Sequence, residues 1–221
     1  MRRRLPLLVA TAVSVLSTVI TCSGPVSRRP GDGLPFYDSP DLTPRWAEDV
    51  AHTIGEFALV SQTGESMTRD DLTGRTHVAS FIFTSCGEIC PTLVTELMAV
   101  QAAIRDRDDV LLVSYSVAPA HDTAAVLAQF GVERGIDHTR WKLLTGDAET
   151  IYRLARNSYF ADDGRLDAEG PATELFLHTE KVLLVDATGR LRGVYNGSMP
   201  FEIAKLIEDI DTLTTAGSSG A

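Results

Sequence analysis

Two unbroken apolar runs with an amphipathic helix pattern between them constrain the fold of this chain more than any other feature. The runs cover residues 78–83 and 110–117, and each reads as a strand that is buried on both faces. Between them, residues 91–108 show the helical period, with one apolar face formed by Leu93, Leu97, Val100 and Ile104. Buried strands that alternate with helices predict an α/β fold around a central sheet.

The other predicted elements continue this alternation. Strands are expected at residues 52–60, 66–68 and 141–144, a hairpin at 181–185 and 191–195, and helices at 122–131, 147–157 and 200–213. The last helix is expected to bury one face, formed by Phe201, Ala204, Ile207 and Ile210. The order of the elements predicts a thioredoxin-like fold, in which helices flank a central mixed sheet and an N-terminal β-hairpin is added.

The N-terminus has the features of an export signal. Three arginines at positions 2–4 precede an apolar stretch over residues 5–20, and Cys22 follows it. Two outcomes are open: cleavage and acylation at Cys22, or retention of the segment as a single membrane-anchor helix. Either outcome predicts an extracytoplasmic domain that stays tethered to the cell membrane.

Composition divides the rest of the chain. Residues 1–22 are the signal or anchor, and residues 23–45, which are rich in proline and glycine, read as a linker. A folded domain is expected over 46–213 and a flexible tail over 214–221.

The formal net charge of −10 argues against nucleic-acid binding, because an acidic domain repels phosphate groups. We expect a monomer.

The folded domain keeps two cysteines, Cys86 and Cys90, between the strand at 78–83 and the helix that Pro91 opens. Sulfur atoms at a helix N-terminus are stabilised as thiolates, the form that attacks disulfides and binds soft metals. A disulfide between residues this close encloses a very small loop and adds little stability. The pair is therefore predicted to bind a metal or to exchange disulfides.

One of the five histidines stands where it can complete a metal site. His178 directly precedes the strand at 181–185, which in a thioredoxin-like sheet abuts the start of the cysteine-bearing helix. His121, which follows the strand at 110–117, is a second and weaker candidate. Two thiolates and one imidazole suit copper, although the same ligand set also occurs in zinc enzymes.

The run Phe-Ile-Phe-Thr-Ser-Cys-Gly-Glu-Ile-Cys-Pro at 81–91 resembles the hallmark of the Sco/SenC family, copper chaperones for cytochrome c oxidase. Further segments agree with the family in order, namely 116–123, 141–146 and 178–189. The resemblance implies that Cys86, Cys90 and His178 bind Cu(I) or Cu(II). It also implies a partner, cytochrome c oxidase subunit II or a related copper protein, whose dinuclear copper centre the chain helps to assemble.

The sequence departs from the family pattern at three positions. Gly87 stands where proline is common, Ala118 replaces the usual acid before Pro119, and Leu177 replaces the usual aspartate before His178. The two missing acids remove acceptors that would orient the histidine or tune the metal.

Three functions compete for the cysteine pair. The first is a copper chaperone, and the second is a thiol-disulfide oxidoreductase that reduces partner cysteines with Cys86 and Cys90 as its redox pair. The three-residue spacer differs from the two-residue spacer of thioredoxin motifs, and this favours the metal. The third, a thiol peroxidase, is disfavoured because Phe83 and Gly87 stand where its motif would require proline and threonine around Cys90.

Overall fold

The computed structural model describes residues 33–47, 49–85, 89–162 and 179–218, with the backbone alone at 89, 90 and 215–218. Its strands are β1 (Ala58–Ser61), β2 (Ser66–Thr68), β3 (Thr76–Ile82), β4 (Val110–Ser116), β5 (Trp141–Thr145), β6 (Lys181–Val185) and β7 (Leu191–Asn196). They form one seven-stranded sheet in the order β2-β1-β5-β4-β3-β6-β7.

Four α-helices flank the sheet: α1 (Ile89–Ala103), α2 (Ala124–Arg134), α3 (Ala148–Arg153) and α4 (Pro200–Ser218). The side chain of Thr123 caps α2, and that of Asp147 caps α3. Helix α4 continues to Ser218, beyond the point where the sequence predicted a flexible tail, and residues 219–221 lie outside the described part. No helix in the described ranges is both long enough and apolar enough to cross a bilayer; the apolar stretch at 5–20 lies outside them.

Strands β3 and β4 are the centre of the fold. Every residue of both strands is buried, and they pair in parallel, as continuous apolar runs predict. Strand β5 is parallel to β4, whereas β6, β7 and the β1–β2 hairpin pair antiparallel. The predicted thioredoxin-like α/β fold, with a mixed sheet and an added N-terminal hairpin, is confirmed.

Successive side chains of β3 point to opposite faces of the sheet, and each face has its own hydrophobic core. Val78 and Ile82 pack under α1, α2 and α4, while Ala79 and Phe81 face the opposite side of the sheet. On that side a π-helical turn, Leu154–Ser158, follows α3 and packs into the core. Helices therefore cover both faces of the sheet.

A buried polar chain holds the segment after the π-helical turn against the sheet. The hydroxyl of Tyr159 lies 2.8 Å from that of Tyr115 on β4 and 3.1 Å from Nε2 of His77 on β3. Burial lowers the pKa of His77 to about 4, so this imidazole is neutral near pH 7. These hydrogen bonds fix where the polypeptide leaves the core. It does so at Asp162, the last described residue before the segment that carries His178.

Residues 33–45, which the composition predicted as linker, form an N-terminal strap that packs along β7. The buried ring of Phe36 lies under the guanidinium of Arg192, 3.9 Å from the ring centroid. Arg192 also donates hydrogen bonds to the carbonyls of Leu34 (2.5 Å) and Pro35 (3.1 Å). Aromatic burial and these bonds fix a segment whose prolines and glycines alone indicate no structure.

Helix α4 buries a different face from the one predicted. The buried stripe contains Ile203, Leu206 and Ile210, whereas Phe201 and Ala204 are exposed. The predicted face was wrong at these two positions: Ile203, Leu206 and Ile210 also have helical spacing, and they are the residues that pack into the core.

Candidate metal centre

The described residues that flank the predicted ligands lie at the carboxyl edge of β3 and β4. After β3 ends at Ile82, the described chain continues through Thr84 and Ser85, and α1 begins at Ile89. Cys90 therefore lies in the first turn of α1, as the sequence predicted, while its side chain is outside the described part. Cys86 and His178 also lie outside the described residues.

A buried carboxylate organises the turn that leads to Cys86. Asp122 is fully buried, and its oxygens accept hydrogen bonds from the N–H of Thr84 (3.0 Å), from the Thr84 hydroxyl (2.5 Å) and from the Ser116 hydroxyl (2.6 Å). Burial alone would raise the pKa of Asp122. The hydrogen bonds from Ser116, Thr84 and His121 outweigh it and keep that pKa below its ordinary value. The ionised carboxylate thus ties the end of β3 to the end of β4.

Sequence reasoning missed this role of Asp122, because Asp-Thr before a helix reads as a cap. In the structure Thr123 alone is the cap of α2, and Asp122 points into the sheet edge. The available signal was the polar pair Thr84 and Ser116, which stand at the ends of two apolar strands and need an acceptor when buried.

His121, the second candidate ligand, is attached to the same carboxylate. Its Nδ1 lies 2.8 Å from Oδ1 of Asp122, and its side chain is 60% exposed. Ala118, which replaces the usual acid of the family pattern, is buried and donates its N–H to the Ser116 hydroxyl. Among the described residues, no three His, Cys, Asp or Glu side chains are grouped as a metal site requires.

The segment that follows His178 is fixed on two sides. The ammonium of Lys181 donates hydrogen bonds to the carbonyls of Phe160 (3.2 Å) and Ala161 (3.4 Å). The carbonyl of Glu180 accepts the N–H of Gly197 at 2.7 Å. Because β6 is antiparallel to β3, the chain enters β6 from the edge at which Thr84 and the start of α1 lie.

Removing the carboxylate of Asp122 tests how much it stabilises this edge of the sheet. We expect Asp122→Ala to lower the free energy of unfolding by roughly 3 kcal/mol, because Thr84 and Ser116 lose an ionised acceptor in a buried place. Urea unfolding measures this loss. Asp122→Asn keeps the shape and should lose less, and the exposed helix-cap variant Asp147→Ala is the matched control. An unchanged urea midpoint for Asp122→Ala would contradict the anchoring role.

Comparison with known proteins agrees with this architecture. The family model described as SCO1/SenC matches residues 46–215. A SCO1/SenC family lipoprotein from Bacillus anthracis is 26% identical, with a TM-score of 0.64, over 74% of this chain and 95% of that one. The structure of BsSco, described as having a disulfide switch and as a member of the Sco family of cytochrome c oxidase assembly proteins, is 26% identical with a TM-score of 0.63, over 74% and 94%.

A third solved structure contains the metal. Copper-bound ScoI from Bradyrhizobium japonicum is 26% identical to this chain with a TM-score of 0.54, and the match covers 72% of this chain and 98% of that one. The family model spans the whole sheet, α1, α2, α3 and most of α4, from residue 46 to residue 215. On this extent of agreement, the chain belongs to the SCO1/SenC family.

Proposed function

We propose that this chain is a membrane-tethered extracytoplasmic copper protein that delivers copper to, or assists assembly of, the dinuclear copper centre of cytochrome c oxidase. The proposed ligands are Cys86, Cys90 and His178. The observation that carries the proposal is membership of the SCO1/SenC family, in which a relative of 26% identity has been solved with copper bound.

The described geometry supports this ligand set. Cys90 is in the first turn of α1, and Thr84, two residues before Cys86, is bonded to Asp122 at the same edge of the sheet. The chain reaches this edge again just before β6, directly after His178. Helix α1 thus begins where three segments converge, and its N-terminal N–H groups favour thiolates there.

Two thiolates and one imidazole suit the proposed cargo. Sulfur is a soft ligand that favours Cu(I), and imidazole is a ligand for copper in either oxidation state. The cysteines bind metal only as thiolates, so oxidation to a Cys86–Cys90 disulfide removes both sulfur ligands. Copper delivery therefore requires the reduced pair.

Tethering is proposed from the N-terminal sequence. Three arginines, the apolar stretch at 5–20 and Cys22 form an export signal with a candidate acylation site. The similar Bacillus anthracis protein is described as a lipoprotein. Labelling with a radioactive fatty acid in the host separates acylation at Cys22 from a retained helix.

Anaerobic titration of the reduced full-length chain in detergent with Cu(I) tests the copper proposal. We expect one copper per chain at saturation, with two sulfurs and one nitrogen bound to the metal in X-ray absorption spectra. Cys22→Ser should give the same result, because that cysteine belongs to the leader. A site without sulfur, or no stoichiometric binding, would refute the proposal.

A second candidate function is thiol-disulfide exchange, favoured by the disulfide switch described for BsSco. In that reaction Cys86 and Cys90 give two electrons and two protons to a partner disulfide, which becomes two thiols as the Cys86–Cys90 disulfide forms. This reaction needs no imidazole ligand. The contribution of His178 to copper binding therefore separates the two functions.

A further inference from the structure

Two large apolar side chains are exposed at the start of α4. Phe201 is 67% exposed and Met199 is 42% exposed, although they stand only two residues apart. The other exposed large apolar residues of the described ranges, Trp46, Val60 and Val132, are distant from one another in the sequence. Single exposed apolar residues need no explanation, but two that are this close in the chain are a candidate for an interaction site.

The turn before these residues packs against both segments that lead to the proposed ligands. Gly197 accepts no side chain, because a Cβ there would collide with Leu93, one helical turn after Cys90. Its N–H donates to the carbonyl of Glu180, two residues after His178. Met199 and Phe201 therefore follow a turn that packs against the described neighbours of Cys90 and His178, and we call these two residues the rim patch.

Charge limits what can cover the rim patch. Glu202 follows Phe201 directly, Glu180 lies against the turn, and the formal net charge of the chain is −10. Anionic lipid headgroups are repelled by such a surface. A second copy of this chain would bring the same acidic side chains against it. The surface instead complements a protein face with an apolar centre and a basic rim.

We propose that the rim patch is the docking surface for the protein that accepts copper from this chain. The proposal rests on the proposed function, since the acceptor must bring its own ligands to the copper at Cys86, Cys90 and His178. An apolar contact beside the metal holds the two sites together during transfer, and the acidic rim selects an acceptor with basic side chains.

Photo-crosslinking in the native membrane tests the contact itself. The photoreactive residue p-benzoylphenylalanine is placed at position 201 of the full-length chain or, as a control, at position 132. Val132 is 83% exposed near the end of α2, where Gly135 bonds to Gln101 on the last turn of α1, opposite the cysteines. We expect crosslinks from position 201 to cytochrome c oxidase subunit II and none from position 132.

The other possible crosslinking products also decide whether the docking surface is retained. A crosslink from 201 to a different copper protein would retain the docking surface and revise only the proposed target. Crosslinks only to lipid or to a second copy of the chain, equal labelling from position 132, or no crosslink would overturn the docking surface.

Transfer kinetics test the energetic contribution of the patch. With the soluble copper-site domain of subunit II as acceptor, Phe201→Gln should slow copper transfer about tenfold at low acceptor concentration, because a central aromatic contact is lost. Its Cu(I) affinity should equal that of the wild type, and Val132→Gln should change neither quantity. Transfer by Phe201→Gln at the wild-type rate would overturn the inference.

Discussion

Replacing Cys86 or Cys90 with serine is expected to abolish stoichiometric Cu(I) binding. A serine hydroxyl stays protonated near neutral pH and is a hard donor, whereas Cu(I) prefers thiolate. A single remaining thiolate cannot chelate the ion. The loss should be visible in a Cu(I) competition titration of the full-length chain, in which the wild type takes the metal from a chromophoric chelator and each variant leaves it there.

The control is Cys22→Ser, which removes the third cysteine of the chain and should leave binding unchanged. Circular dichroism and urea unfolding should show that the serine variants keep the fold. Tight binding of one copper by the double variant Cys86→Ser, Cys90→Ser would place the metal elsewhere and end the assignment.

His178→Ala should lower copper affinity by at least about 10–100-fold, since removal of a ligand should cost no less than a change in the groups that support one. The same variant should still form the Cys86–Cys90 disulfide, because disulfide exchange requires only the two sulfurs and access to them. In the host, oxidase copper-centre assembly should fail and be partly restored by added copper. Competition titration, thiol counting and oxidase assembly together measure these outcomes.

Two other histidine variants sharpen this test. His138→Ala removes an exposed imidazole between α2 and β5 and should have no effect. His121→Ala removes the imidazole that bonds to Asp122, and it should leave affinity nearly unchanged if His178 is the nitrogen ligand. If His178→Ala binds copper like the wild type and supports oxidase assembly, thiol-disulfide exchange becomes the leading function. If only His121→Ala lowers copper affinity, His121 and not His178 is the nitrogen ligand.

The central strands were predictable because burial on both faces leaves an unbroken apolar run, as in β3 and β4. The first strand was harder. It was predicted from residue 52, yet β1 begins at Ala58, because the preceding backbone bonds elsewhere, as when the N–H of Ile54 donates to the carbonyl of Gly189. Such partners are far away in sequence, so local patterns do not contain them.

Long-range contacts also explain the other differences. Phe201 has the spacing of a buried residue, but Ile203, Leu206 and Ile210 are the residues of α4 that pack against the strands, and the ring of Phe201 is left in solvent. Asp122 has the sequence context of a helix cap, but Ser116 and Thr84 bring it into the sheet edge. The placement of Cys90 needed only local signals, since a strand end, a short turn and Pro91 define where α1 starts.

If the chain is anchored at Cys22, the strap held by Arg192 limits how far the folded domain can move from the bilayer. Were residues 23–45 all free, the tether could extend about 80 Å, but with residues 33–45 packed along β7 only 23–32 remain, and they span at most about 35 Å. The start of the strap in a chain anchored at Cys22 would then stay within that distance of the bilayer. Under the proposed function, an acceptor whose copper site lies close to the bilayer is favoured over one that projects far from it.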